Sequence, residues 1–260
     1  VFEDLDSDGF YDAGEPTDTF TVTVTVTSGG ALSYEMIVDP SILNFGNMAR
    51  TSQASASFKI INLCANNLTN VGYVKDDLVN GPLNIPQGNI GFTPSPCTNI
   101  QPFGQIYATA GLIIPAVQPA GTYVGTQTVK DFDHPEASTT LIIIVTVPPA
   151  SLSANPNPLN LGTTSPGTSV SGNFALNSLS PQPFAIGCLK GDMVGPATIP
   201  AASITITFGS PSLSGMPDST TGTCSVIVDP QIPSGLYIGS MTIFDSNFPN
   251  EASMTFLVQL

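Results

Sequence analysis

The chain repeats itself, and no other feature constrains its fold as much. DPSILNFG (39–46) returns as NPNPLNLG (155–162), and GYVKDDLVNGPLNIP (72–86) returns as GCLKGDMVGPATIP (187–200). IPAVQPAGTYVGTQTVKDFDHPEASTTLIIIVTV (114–147) returns as DPQIPSGLYIGSMTIFDSNFPNEASMTFLVQL (229–260). Three matches in one order, each offset by roughly 115 residues, mark a tandem duplication. Any fold proposed for one half must serve the other.

Each repeat reads as about seven short strands with period-2 alternation. The first has YEMIV, SASFKII, VGYVK, NIGFT, QIYATAGLI, TYVGTQTV and TTLIIIVTV. The second has SLSA, SVSGNFAL, FAIGCLK, SITITF, GTCSVIV, LYIGSMTI and ASMTFLVQL. Turn signals separate the strands and nothing has helical periodicity. The expected fold is all-β: tandem immunoglobulin-like β-sandwiches at 31–149 and 150–260, a β-barrel being the alternative. Composition agrees. Hydrophobic residues are 41% of the 260, enough for a core, while charged residues are only 9%, so Thr, Ser, Asn, Gly and Pro must fill the surface.

Residues 1–30 look like the closing hairpin of a third repeat whose earlier strands are missing. VFEDLDSDGFYDAGEPTDTFTVTVTVT matches the ends of both full repeats, with Asp4 and Asp6 against Asp131 and Asp133, and against Asp245 and Asn247. A lone hairpin is marginal in water. It therefore belongs to a missing domain or is a strand donated to a neighbour.

Seven of the nineteen acidic residues lie in the first eighteen positions. DLDSDGFYDAGE (4–15) fits a twelve-residue calcium loop. Asp4, Asp6 and Asp8 supply carboxylates, Gly9 the sharp turn, Phe10 a backbone carbonyl, Asp12 a direct or water-mediated contact, and Glu15 a bidentate carboxylate. Hard oxygen ligands without nearby His or Cys favour Ca2+ over zinc. The flanks are strand-like, so the ion is expected to staple two strands rather than open a helix pair. The matching turns of the full repeats keep only Asp131/Asp133 and Asp245/Asn247 and are weak candidates. His134 reads as an ordinary loop residue.

Net charge is −14, with Arg50, Lys59, Lys75, Lys130 and Lys190 as the cations. Five scattered cations exclude a nucleic-acid footprint and disfavour anionic membranes. No apolar run reaches membrane-spanning length. The chain opens with Val instead of Met, as expected of a processed or partial chain, so the lack of a signal segment says nothing against secretion.

Four cysteines fall two per repeat. Cys64 with Cys97 and Cys188 with Cys224 are expected to form one disulfide each, the alternative being buried thiols. The pairs are not equivalent, since Cys188 aligns with Tyr73. One His, no G-x-S-x-G and no phosphate-binding Gly loop leave no catalytic constellation, so an enzyme is not expected. Lys75 and Lys190 recur, each followed two residues later by Asp77 or Asp192. They read as a strand-end charge pair, an isopeptide cross-link being the sharper alternative. Asn67-Leu68-Thr69 is a lone glycosylation sequon.

VFEDLDSDGFYDAGEP resembles the calcium loops of the B repeats in Gram-positive serine–aspartate adhesins. DPSILNFG and PAGTYVGTQTV are similar to motifs in the immunoglobulin-like repeats of bacterial and archaeal surface proteins, including abnormal-spindle/hydin-like repeats. The resemblance implies an extracellular structural or adhesive array without catalytic activity. Expected accordingly is a subunit or segment of a calcium-stabilised cell-surface fibre, stalk or sheath. It would self-associate by adding the TFTVTVTVT strand to an open sheet edge. The alternative is a stalk or binding module of a larger adhesin or secreted glycan-degrading enzyme.

Overall fold

In period-2 segments one face of each strand is apolar, and the chain buries those faces by pairing sheets. The computed structural model describes residues 34–95, 97–251 and 253–260. The residues expected to form a calcium loop and an N-terminal hairpin lie outside them.

The first half contributes β1 (Met36–Asp39), β2 (Ile42–Asn47), β3 (Gln53–Asn62), β4 (Leu68–Val74), β5 (Leu78–Asn80), β6 (Leu83–Ile85) and β7 (Ile90–Thr93). It continues with β8 (Cys97–Ile100), β9 (Gln105–Ile113), β10 (Gly121–Asp131) and β11 (Ser138–Val147). One sheet has the order β1-β3-β9-β7 and the other β2-β11-β10-β4-β8, with the β5–β6 hairpin on β10. β1 pairs antiparallel with β3, and after Pro40 the chain crosses to the other sheet, where β2 pairs parallel with β11.

The second half contributes β12 (Leu152–Asn155), β13 (Leu159–Asn160), β14 (Ser169–Ser178), β15 (Phe184–Val194), β16 (Thr198–Ile199) and β17 (Ile204–Phe208). It ends with β18 (Ser212–Leu213), β19 (Ser219–Ile227), β20 (Ile238–Asp245) and β21 (Ser253–Gln259). Its sheets run β12-β14-β19-β17 and β13-β21-β20-β15-β16. The order of the main strands is that of the first half. The architecture is all-β, with packed sheets in an immunoglobulin-like arrangement.

Each half has its own core. Phe58, Ile60, Leu112, Tyr123, Leu141 and Ile143 are buried in the first, and Phe174, Leu176, Ile204, Val226, Met241 and Ile243 in the second. β11 shows the cause: in STTLIIIVTV, Leu141, Ile143, Val145 and Val147 are buried and the residues between them are half-buried. Tyr123 and Tyr237 make matching corners, the hydroxyl of Tyr123 donating to Pro119 O at 2.8 Å and that of Tyr237 to Pro233 O at 2.7 Å. Only residues 148–151, PPAS, separate β11 from β12.

Candidate functional site at the joint between the sandwiches

The sequence has one arginine, and the fold buries it. Arg50 sits in the turn between β2 and β3, where Ser52 N donates to Ala49 O and Thr51, at φ 64°, donates to Ile114 O. That turn points the side chain toward the second sandwich, and only 2% of the residue is exposed. Arg50 Nε donates to Gln118 O at 2.6 Å within its own sandwich. Its remaining partners come from across the joint. Nη2 donates to Glu251 Oε2, and the guanidinium carbon lies 3.9 Å from the centre of the Phe248 ring. The Arg50 backbone N donates to Gln182 Oε1 at 2.9 Å.

Glu251 returns the contact. Its other oxygen accepts from Ala120 N at 2.7 Å, so one carboxylate holds both the arginine and the loop before β10. The pairing is incomplete: Arg50 Nη1, Gln182 Nε2 and Asp245 Oδ2 are buried without a protein partner among the described residues. Beside them a cleft of about 490 Å³ is lined by Arg50, Pro183, Phe184, Ser214, Asp218 and Phe248, among others. Sequence reasoning missed this joint. Its one available signal was a lone Arg in a chain poor in cations, with Pro166 at the matching place in the second repeat.

The acidic turns proved structural. Asp131 is fully buried and accepts from Thr69 N at 2.9 Å, Asn70 N at 3.2 Å and Asp133 N at 3.0 Å, with His134 Nδ1 at 3.2 Å. Burial would raise its carboxyl, but the bonds from Asp133, Thr69, His134 and Asn70 outweigh that and hold it below the usual carboxylate range. His134 is more than a loop residue, because Tyr34 stacks on it with ring centres 3.6 Å apart. Asp245 accepts from Asn247 N at 3.0 Å and Ala185 N at 3.3 Å.

Among the described residues no three His, Cys, Asp or Glu side chains group to hold a metal ion. Asp4, Asp6, Asp8, Phe10, Asp12 and Glu15 lie outside the described residues.

The disulfide expectation is corrected: Cys64, Cys188 and Cys224 are free thiols. Cys64 is turned inward and bonds Asn62 Oδ1 at 2.8 Å. Cys97 contributes backbone to β8, and its side chain lies outside the described set. Cys188 on β15 and Cys224 on β19 pack as small apolar side chains in one core. Burial, with the nearby Cys188 adding to it and Lys190 opposing, pushes the Cys224 thiol up to about 11.

The recurring Lys-x-Asp motif is a clip and not an isolated charge pair. Lys75 Nζ reaches from the end of β4 to Ile90 O in edge strand β7, at 2.9 Å, while Asp77 accepts from Gln87 N at 2.7 Å. In the second half Lys190 bonds Ile204 O at 2.6 Å and Asp192 accepts from Ala201 N at 2.7 Å. Each lysine ties one sheet to the edge of the other. Asn44 and Asn160 act locally at β2 and β13, each accepting from the amide two residues on, Gly46 N and Gly162 N, at 2.8 Å. Asn67 is exposed ahead of β4.

No protein-family model matches the chain, and no curated protein matches it. Solved structures are similar at low identity. A family 123 glycoside hydrolase from Clostridium perfringens is 16% identical with TM-score 0.35, over 41% of this chain and 23% of that one. This chain thus spans under a quarter of that protein's length. A PapD-like domain of human CEP192 is 10% identical with TM-score 0.34, over 51% of this chain and 97% of that domain. The CupB2 chaperone of Pseudomonas aeruginosa is 8% identical with TM-score 0.32, over 85% and 98%. At these TM-scores the likenesses assign no function. Among the described residues no helix is long and apolar enough to cross a membrane.

Proposed function

We propose that the protein is a non-catalytic, extracellular structural module: a segment of a cell-surface fibre, stalk or sheath built from duplicated immunoglobulin-like sandwiches. The observation behind this reading is the joint. A short connector alone leaves tandem domains free to move. Here a buried arginine draws partners from both sandwiches, so the pair behaves as one stiff element, which is what a load-carrying array needs. In this reading the acidic sequence 4–15 supplies calcium-dependent stiffening, and the alternating Thr/Val sequence 19–27 is the one donated to a neighbouring copy.

Electron microscopy of the purified chain, with calcium and then with a chelator, tests the reading. Filaments that shorten or dissolve on chelation support a calcium-dependent assembling subunit. Separate slender particles in both conditions reject self-assembly and favour a stalk module within a larger adhesin or secreted enzyme.

A further inference from the structure

Four strands, β1, β7, β12 and β17, form the edges of the two four-stranded sheets, and three of them stop at a proline. β1 runs into Pro40, β7 into Pro94 and β12 into Pro156. A proline has no N–H to offer a passing strand and blunts an edge. β17 instead runs through Phe208 into Gly209.

The backbone of β17 is half used. Gly209 N donates to Thr221 O at 2.9 Å. The alternation of the ladder then turns Thr205 and Thr207 toward β19, and Ile204, Ile206 and Phe208 outward. Ile204 is occupied, its N donating to Ala201 O and its O accepting from Lys190 Nζ. The N–H and C=O groups of Ile206 and Phe208 have no partner among the described residues. Their side chains pack on the second core, Phe208 edge-on to Phe174 with ring centres 6.0 Å apart, yet both stay only half-buried at this edge.

The 33 residues before Tyr34 hold a sequence suited to it. TFTVTVTVT (19–27) alternates with the period of a strand and has neither a proline nor a charge to desolvate. Paired as a strand, it would present Phe20, Val22, Val24 and Val26 on one face.

We propose that β17 is the edge that accepts this segment from a second copy of the chain. The Val and Phe side chains cover Ile206 and Phe208, the threonines lie beside Thr205 and Thr207, and the backbone satisfies the groups left open on Ile206 and Phe208. Lys190 on Ile204 O closes one end of the edge and so limits where the incoming strand begins. The inference rests on the strand donation of the function proposed above and adds its acceptor.

Sedimentation velocity of the full chain at 0.15 M salt, over a concentration series, tests it together with hydrogen exchange read by mass spectrometry on the β17 segment. Wild type is expected to associate reversibly, and exchange at the Ile206 and Phe208 amides to slow about tenfold or more in the associated chain. Val24→Lys abolishes both effects. Phe208→Pro, which gives β17 the residue that ends β7, weakens association about tenfold, and its melting temperature shows that it folds. Association without slowed exchange at β17 overturns this edge as the acceptor and leaves self-assembly standing on another contact. Slowed exchange that survives Val24→Lys overturns the segment as the occupant. A monomer at every concentration overturns acceptor and self-assembly together.

Discussion

Arg50 is stable in its buried place because two folding units each supply part of its shell. Replacing it with Ala strands Glu251 against Phe248 and Ala120 N. A fully buried broken pair costs about 3–5 kcal/mol; Glu251 keeps an 18% exposed side chain, so about 2–3 kcal/mol is expected from denaturant melts. Arg50→Met with Glu251→Leu should recover only part of the loss, because it removes the unpartnered Arg50 Nη1 but leaves Ala120 N without its acceptor. Asp131 carries the pH dependence. Its lowered carboxyl contributes stability that is fully present above about pH 4, the ordinary carboxylate value, and is lost as pH falls through the lower folded value. Asp131→Asn should therefore cost stability at pH 7 and flatten the acid limb of the stability curve. The cysteines give a third check: in denaturant without reductant, iodoacetamide should label Cys64, Cys188 and Cys224, and in the native state Cys224 should stay unlabelled at pH 8. None of these local assignments was written in the residues' spacing. An even cysteine count reads as disulfides, and only the directions of the side chains say otherwise.

Strands were legible where their own side chains decide the outcome. Long β-prone segments such as TTLIIIVTV and SVSGNFAL became β11 and β14, with burial alternating along their second halves. The short β2, β5, β6, β8, β13, β16 and β18 were not read, because two to six residues carry too little alternation to show a strand, and pairing decides it, as β2 pairs with distant β11 and β16 with β15. Repetition still pointed to them: the L-N-x-G motif recurs because Asn caps a Gly amide at φ 66° and 82°. The Lys-x-Asp repeat was noticed, but its purpose needed the sheets. Edge strands invite unwanted pairing, and a lysine bound to the edge carbonyl opposes it. Lys75→Ala or Lys190→Ala should each cost about 1 kcal/mol, since the ammonium is partly exposed, and should shorten the aggregation lag on mild heating. An unchanged lag would mean that the lysines hold the sheets together without guarding the edge.

At the scale of the whole molecule, the question is whether two sandwiches joined by four residues act as one body. Pro148 and Pro149 restrict the connector, and the residues after them are tied to the second sandwich alone, Ala150 by burial in its core and Ser151 N by donating to Ser180 Oγ at 3.1 Å. The joint ties the sandwiches together by burying Arg50 and Gln182 against the neighbouring sandwich. Duplication was plain in the sequence, yet the geometry relating the copies was not. It depends on Arg50, Gln118, Gln182 and Phe248, positions where the repeats differ. Spin labels on exposed strand residues of the two sandwiches should give a single narrow distance distribution in the native chain. Arg50→Ala should broaden it while each core stays folded, because the joint lies outside both hydrophobic clusters. A distribution equally narrow in the variant would assign the stiffness to the prolines and strip the arginine of its mechanical role.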